Sequence, residues 1–235
     1  MISKVDILQQ LYQKHPFKPN NLGRLICGAK HCGVELRNGN IGICSTLGVA
    51  IDEDINILAN PNFSRIGHRI LLNAWVNACA NYSIPASGDG DVFDVVDFCQ
   101  YQSIVMIGFF GSLSAKFQKA GIPITIFDLD PTDKPVAPIG TQHFHLAKAD
   151  AVILTATSIS NMTFAELMDN VSANADVFVL GPSTTLDRAM FKYPQVKALF
   201  GSRFTLFDNG SLDLINSGGG TKCILPFIKK VYIYR

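Results

Sequence analysis

The sequence predicts an α/β protein in two parts. A small α+β domain covers residues 1–98, and a Rossmann-like, doubly wound, mainly parallel sheet covers residues 99–235. The second part carries five continuous apolar runs, and helical patterns separate several of them. Strands that are apolar on both faces and alternate with helices are typical of a parallel sheet covered on both sides. The first part has two β-rich runs around a turn and one long helical pattern, which favours an α+β arrangement.

Composition narrows the classes of function. The chain has 235 residues, of which 48% are apolar and 17% charged, so it can bury a substantial core. Its formal net charge of +1 gives no strong field toward nucleic acid or a lipid surface, and we expect neither as a partner. No apolar run approaches the ~20 residues of a membrane span, and the first residues lack a signal-peptide core. We therefore expect a cytoplasmic protein whose six cysteines are thiols.

The first part opens with a helix and a hairpin. Ser3 is predicted to cap the helix, with Asp6 in its first turn. The Asn38-Gly39 pair between the two β-rich runs is a strong hairpin signal. A second helix is predicted from about residue 64 to residue 81.

That second helix carries two amide side chains on one stripe. Asn73 and Asn77 are four residues apart and continue a line of apolar residues. The pair either faces a cleft between the two domains or lies on the helix surface. Both interpretations stay open on the sequence alone.

The second part alternates strands and helices. The helical segment after the first strand ends at Gly121, a typical C-cap. Another helix begins at Thr163, with Glu166 three residues later as a capping box. A final edge strand is predicted in "KKVYIYR". The five predicted strands lie in "SIVMIGFF", "PITIFDL", "DAVILTAT", "DVFVLGP" and "RFTLFD".

Candidate ligand-binding residues follow from this architecture, because ligands of such sheets bind at the carboxyl ends of the strands. Among them, Asn161 is a better candidate than Thr163, since the capping box already accounts for Thr163. The residues that follow four of the strands are Gly108, Phe110, Gly111, Asp128, Thr155, Asn161, Thr163, Gly181, Pro182, Ser183 and Thr184.

The first turn resembles a nucleotide-binding turn but departs from it. A dinucleotide fold requires G-x-G-x-x-G so that the pyrophosphate can approach the backbone. Here Phe109 and Phe110 follow Gly108, so the second glycine is missing, which disfavours NAD. Asp128, twenty residues after Gly108, is placed to bind a ribose hydroxyl, so an adenosine-type ligand such as S-adenosylmethionine stays open. The alternative is that the glycines only shape a tight turn.

The "GPSTT" turn offers several hydroxyl groups. Gly181-Pro182 ends the strand. The hydroxyls and amides of residues 183–185 stand at a predicted helix start, with Asp187 in its first turn. Such a terminus holds either an anion or an ordinary N-cap.

Cys27, His31 and Cys32 are weak candidates for a transition-metal site. Cysteine and histidine are ligands of soft and borderline metals. Their spacing matches no standard zinc site, and strand alternation places His31 and Cys32 on opposite faces. The favoured interpretation is core thiols beside one polar histidine.

The order of these motifs resembles one family of unknown function, named "putative heavy-metal chelation". The resemblance covers nearly the whole chain and is most specific in "GPSTTL" and "TATSISNMTF". It implies an N-terminal domain similar to that of enolase, a Rossmann-like domain, and a site in the cleft between them. By resemblance the cleft is lined by His31 and Asn73 from the first domain and by Gly108, Phe110, Asp128, Asn161, Ser183 and Thr184 from the second.

Two functions are carried forward. The first is binding of a small anionic or metal-chelating ligand in the interdomain cleft. The alternative is an enzyme that acts on a small metabolite with an adenosine-type cofactor. A structural scaffold that forms a homodimer is a third interpretation.

Overall fold

The computed structural model describes residues 6–235, so the predicted cap Ser3 lies outside the described residues. Helix α1 (Ile7–Lys14) begins after Asp6, whose carboxylate accepts from the N–H groups of Leu8 and Gln9. Asp6 is therefore the N-cap itself and not a first-turn residue. The remaining elements of this part are β1 (Leu22–Cys27), β2 (His31–Leu36), β3 (Ile41–Ser45), α2 (Asn56–Ala59) and α3 (Ile66–Ala80).

Strands β1, β2 and β3 form an antiparallel sheet in chain order. The predicted hairpin is confirmed: β2 pairs with β3, and Gly39 between them has φ +87°. Only glycine adopts such an angle without strain.

The second part contains the remaining elements of the chain. Its strands and helices are β4 (Gly88–Asp89), α4 (Val92–Val95), β5 (Ile104–Ile107), α5 (Gly111–Ala120), β6 (Thr125–Phe127), α6 (Gln142–Lys148), β7 (Ala151–Thr155), α7 (Thr157–Ser160), α8 (Phe164–Asn170), β8 (Asp176–Leu180), β9 (Val196–Phe204), α9 (Asn209–Asn216), α10 (Thr221–Ile224) and β10 (Ile228–Tyr234). Short 3₁₀ helices cover Pro19–Asn21, Phe98–Gln100, Ile139–Thr141, Arg188–Lys192 and Leu225–Phe227.

The predicted fold class is confirmed. The second sheet has seven strands in the order β4-β10-β9-β8-β7-β5-β6. Strands β6, β5, β7, β8 and β9 are parallel to one another. Strand β10 pairs antiparallel with β9 and with β4. In the described part of the chain, no helix has both the length and the apolar character needed to cross a bilayer.

Two strand predictions near the C-terminus need correction. Strand β9 runs from Val196 to Phe204, so the predicted run "RFTLFD" contributes only its first residues. Strand β10 is not the edge of the sheet, because β4 pairs along its outer side. Strand β9 is long because it pairs antiparallel with β10, from Phe204 with Ile228 to Ala198 with Tyr234.

The three-stranded sheet is packed between two helices. On one face, Gly42 lets α3 approach, since a methyl group placed on Gly42 would lie 2.1 Å from the nitrogen of Ala78. On the other face, Leu212 and Ile215 of α9 pack beside Gly33. Helix α9 follows residue 98 in sequence yet covers the first sheet. The division of the chain at residue 98 stays a prediction.

Candidate functional site

The parallel strands define where a ligand would bind. From one edge of the sheet, the order of these strands is β6-β5-β7-β8-β9. The chain therefore runs from β5 to β6 on one side of β5, and then crosses to β7 on the other side of β5. In open α/β sheets, ligands bind outside the carboxyl ends of the two strands at such a switch point. A cleft of about 280 Å³ opens there, with Gly108, Asp128, Thr155 and Asn161 among its walls.

Gly108 shapes the floor of this cleft. Its φ is +90°, and a methyl group placed on it would lie 2.8 Å from Cβ of Thr155. The ends of β5 and β7 therefore approach each other only with glycine at this position.

Asp128 holds the turn that follows Gly108. Its carboxylate accepts from the N–H of Phe109 at 2.6 Å, from the N–H of Asp130 at 2.9 Å and from Nζ of Lys134 at 3.0 Å. Both carboxylate oxygen atoms thus have protein partners. The main-chain N–H of Phe109, in the turn after Gly108, is therefore already hydrogen-bonded and not available to a ligand.

Hydroxyl and amide groups converge on the opposite wall. The hydroxyls of Thr155 and Thr157 lie 2.9 Å apart. Oδ1 of Asn161 accepts from the hydroxyl of Thr163 at 2.7 Å and from its N–H at 3.2 Å. The side-chain NH₂ of Asn161 has no partner among the described residues, and Asn161 borders the cleft. The predicted capping box is therefore wrong, because the hydroxyl of Thr163 bonds Asn161 and makes no cap hydrogen bond.

The first part of the chain supplies one side of the cleft. Ser45, at the end of β3, and Leu47 lie on its rim. The N–H of Ser45 donates to the hydroxyl of Ser183 at 3.0 Å, which fixes β3 against the second sheet. Sequence reasoning missed Ser45 and Leu47, since no sequence pattern relates them to the strand ends of the other sheet. It also missed Gln142, the first residue of α6, which lies well after the end of β6 in sequence.

The "GPSTT" turn is divided between a second cavity and the interior. Gly181 and Pro182 line a cavity of about 130 Å³ on the other side of Phe110, which borders both cavities. Ser183 and Thr184 are buried. No helix starts at these residues, which corrects the prediction. The next helix is the 3₁₀ turn Arg188–Lys192, and the carboxylate of Asp187 caps it by accepting from the N–H of Ala189.

Asn73 lies in a buried seam and not in the cleft. Its side-chain NH₂ donates to the carbonyl of Ser183 at 3.0 Å and to Sγ of Cys44 at 3.3 Å. The sequence predicts that the amide pair Asn73 and Asn77 either faces an interdomain cleft or lies on the helix surface. The pair does neither, because both side chains are fully buried between α3 and the turn after β8.

His31 and Gly111 also lie away from the cleft walls. Nε2 of His31 is 3.4 Å from the hydroxyl of Thr221. Burial lowers the pKa of His31, which favours the neutral ring. Gly111 is the first residue of α5. The structure thus brings together Gly108, Phe110, Asp128, Thr155, Asn161 and Thr163 from the predicted set.

The fold defines a two-sheet α/β protein with a cleft at the switch point of its parallel sheet. The model of the DUF364 family, described as "Putative heavy-metal chelation", matches residues 91–234, more than half of the chain. The chain belongs to this family.

Two solved structures share the fold. One, a DUF364 protein of unknown function from Desulfitobacterium hafniense DCB-2, has a TM-score of 0.75 and 18% identity, and the match covers 99% of this chain and 100% of that chain. The other, a DUF364 protein of unknown function from Pyrococcus horikoshii, has a TM-score of 0.81 and 19% identity, with 98% of each chain covered. No curated protein matches the chain.

The described residues do not fit a directly bound heavy-metal ion. Such ions prefer thiolate and imidazole ligands, whereas the cleft offers hydroxyls, amides and one carboxylate that already has partners. Within residues 6–235, no three His, Cys, Asp or Glu side chains gather as a metal site. Cys27 and Cys32 do touch, but His31 points to Thr221 on the other face of β2.

Proposed function

We propose that this protein binds a small anionic or metal-chelating organic molecule in the cleft between β5 and β7. The observation that carries the proposal is the unpartnered side-chain NH₂ of Asn161, on a cleft wall at the switch point of the sheet. A polar group in a cleft is a recognition element when its own fold does not use it.

The available groups favour a ligand rich in oxygen atoms. Asn161 offers two N–H donors. In the Thr155–Thr157 pair, one hydroxyl donates to the other, so the second hydroxyl hydrogen remains free for a ligand. Helix α5 begins beside the cleft after Phe110 without a side-chain cap, so its positive end favours negative charge. Carboxylates and phenolates accept such donors.

The remaining walls favour a flat apolar part in the same ligand. Phe109, Phe110 and Leu129 border the cleft. Aromatic and aliphatic walls with a few placed donors are typical of small-molecule sites. An organic chelator would hold a metal through its own atoms and not through protein side chains. Binding of such a chelator would therefore agree with the family description and also with a cleft that lacks metal ligands.

The adenosine alternative has less support. It requires a free carboxylate after the second parallel strand to bind the ribose. In this chain Asp128 supplies that carboxylate, but Phe109, Asp130 and Lys134 already bond it.

The test begins with a native mass spectrum of the untagged protein, which would reveal a retained molecule. Thermal unfolding with citrate, pyridine-2,6-dicarboxylate, S-adenosylmethionine and adenosine then separates the two ligand classes, because a ligand that binds the native state raises the Tm. We expect the carboxylate chelators to raise the Tm. A rise with adenosine and S-adenosylmethionine alone would favour the alternative.

Variants of cleft residues test whether the ligand binds in this cleft. Asn161→Ala removes one hydrogen bond to the ligand, worth about 0.5–1.5 kcal/mol, so we expect affinity to fall about 2- to 10-fold. Thr157→Val should act in the same direction. Asn174→Ala, at an exposed position outside the cleft, is the matched control. Equal affinity in wild type and in an Asn161→Ala/Thr157→Val double variant would contradict the proposal, as would a bare native mass without any Tm shift.

A further inference from the structure

Three cysteines form a row across the three-stranded sheet. Cys27 of β1 pairs with Cys32 of β2, and Cys32 pairs with Cys44 of β3. Directly opposed residues of an antiparallel sheet place their side chains on the same face. The row runs from half-buried Cys27 to the fully buried Cys32 and Cys44.

The pair Cys27–Cys32 has the backbone geometry of a cross-strand bridge. The N–H of Gly28 donates to the carbonyl of His31, so Gly28 and His31, next to the cysteines, are a hydrogen-bonded pair of the ladder. The N–H of Cys27 points away from β2 and donates to Oε1 of Glu53. Cys27 and Cys32 are thus a non-hydrogen-bonded pair, in which Cα atoms are only about 4.5 Å apart. That separation lies within the range that a disulfide spans.

The two sulfur atoms are already in contact. The thiol of Cys32 donates to Sγ of Cys27 at a distance of 2.9 Å. Cys44 is held differently, since its sulfur lies 3.2 Å from Oγ of Ser160 and 3.3 Å from Nδ2 of Asn73. Cys44 has its own hydrogen-bond partners, which leaves Cys27 as the thiol partner of Cys32.

We propose that Cys27 and Cys32 are a reversible thiol–disulfide site, oxidised by hydrogen peroxide. In the first step the Cys27 sulfur, having lost its proton to water, attacks one peroxide oxygen. An S–O bond forms, the O–O bond breaks and hydroxide leaves, which gives a sulfenic acid. In the second step the Cys32 sulfur attacks the Cys27 sulfur. The S–S bond forms, the S–O bond breaks and the oxygen leaves as water with the Cys32 proton. The two sulfur atoms together lose two electrons, and peroxide is reduced to two water molecules.

Exposure and acidity assign the order of the two steps. Cys27 is reached from solvent, whereas Cys32 is fully buried. The hydrogen bond to Cys27 and burial both raise the pKa of the Cys32 thiol. Cys32 therefore keeps its proton until the second step, and Cys27 is the thiol that meets the oxidant.

Peptide mapping tests the proposal directly, because trypsin cleaves after Lys30, between the two cysteines. The full-length protein is treated with a small excess of hydrogen peroxide, and free thiols are then alkylated under denaturing conditions. In a non-reducing digest we expect peptides 25–30 and 31–37 to remain joined, with two fewer alkylated cysteines than in reduced protein. A reducing agent should separate them and restore both labels.

Controls make either outcome decisive. Cys27→Ser, at the half-buried position, should abolish the joined peptides, and Cys99→Ser should leave them unchanged because Cys99 is exposed and lies outside the row. The peptide map is made on the wild-type protein, so the result does not depend on whether a variant of the buried Cys32 folds. The proposal is overturned if peroxide consumes Cys99 and Cys223 while Cys27 and Cys32 stay alkylatable. Conversion of Cys27 to sulfinic acid without joined peptides would overturn it as well.

Discussion

The side-chain NH₂ of Asn77 donates a hydrogen bond of 3.0 Å to the main-chain carbonyl of Ser183. It also donates to the carbonyl of Ile43 at 2.9 Å, and its Oδ1 accepts from the hydroxyl of Thr185 at 2.5 Å. One fully buried amide therefore joins α3, β3 and the turn after β8. Polar residues that resemble ligand contacts in the sequence serve here to hold the two sheets together.

Replacement of this amide should destabilise the protein strongly. Asn77→Ala leaves the carbonyls of Ile43 and Ser183 and the hydroxyl of Thr185 with fewer partners in a dry interior. Each buried group left unpaired costs about 1–3 kcal/mol. We expect the free energy of unfolding to fall by about 2–5 kcal/mol, measured by urea denaturation. The exposed Asn174→Ala should change it by less than about 0.5 kcal/mol, and an equal loss in both variants would contradict the assignment.

Asp187 should make stability depend on acid pH. Burial opposes its ionisation, but hydrogen bonds from His15 at 2.9 Å, Lys14 at 2.7 Å and the N–H of Ala189 outweigh burial and lower its pKa. Because the folded-state pKa is depressed, the stabilisation is complete above about pH 4 and is lost as pH falls further. We expect the wild type to lose more stability than Asp187→Asn between pH 5 and about pH 2.

Denaturant titrations across that range would measure the Asp187 effect. At pH 7 Asp187→Asn should be less stable than wild type by about 1.5–3 kcal/mol, since it removes the charge that accepts hydrogen bonds from Lys14, His15 and the N–H of Ala189. Asp94→Asn is the control, because Asp94 pairs with Lys116 at 3.0 Å but its side chain is 63% exposed. Parallel pH profiles for wild type and Asp187→Asn would disprove this role.

Gly108 should tolerate no side chain. In Gly108→Ala the new methyl group meets Thr155, and the φ of +90° is strained for any residue with Cβ. We expect a loss of about 2–4 kcal/mol in the free energy of unfolding, together with weaker binding of any cleft ligand. Gly140→Ala, where a methyl group has open space, should leave both quantities near the wild-type values. Normal binding by Gly108→Ala would show that the cleft between β5 and β7 is not the site.

The sequence was sufficient for the sheet and for part of the cleft. Continuous apolar runs located β5, β7 and β8, and the strand ends then placed Gly108, Asp128 and Thr155 near one another. These inferences depend only on neighbours in sequence and on a topological rule.

The missed features depend on residues far apart in the chain. Ser183 looked available because no sequence rule shows that Asn73 and Asn77, more than a hundred residues earlier, bond its carbonyl. Likewise, Ser45 reaches the cleft only because β3 packs against the second sheet. Side-chain partners in a buried seam are set by packing, which local patterns do not encode.

The thiols should differ widely in reactivity, and Cys79 gives the sharpest prediction. Cys79 on α3 is half-buried, and this burial raises its pKa from about 9 to about 12, despite the opposing charge of Lys18. The thiolate is the nucleophile, so at pH 8 native Cys79 should react with iodoacetamide about a thousandfold more slowly than a thiol of ordinary pKa, and the exposed Cys99 serves as the internal comparison. Between pH 8 and pH 10 the rate at Cys79 should rise about tenfold per pH unit, whereas the rate at an ordinary thiol levels off near pH 9. Site-resolved alkylation followed by mass spectrometry measures both rates, and similar rates for the two cysteines at pH 8 would contradict the burial of Cys79 and the cause given for its pKa.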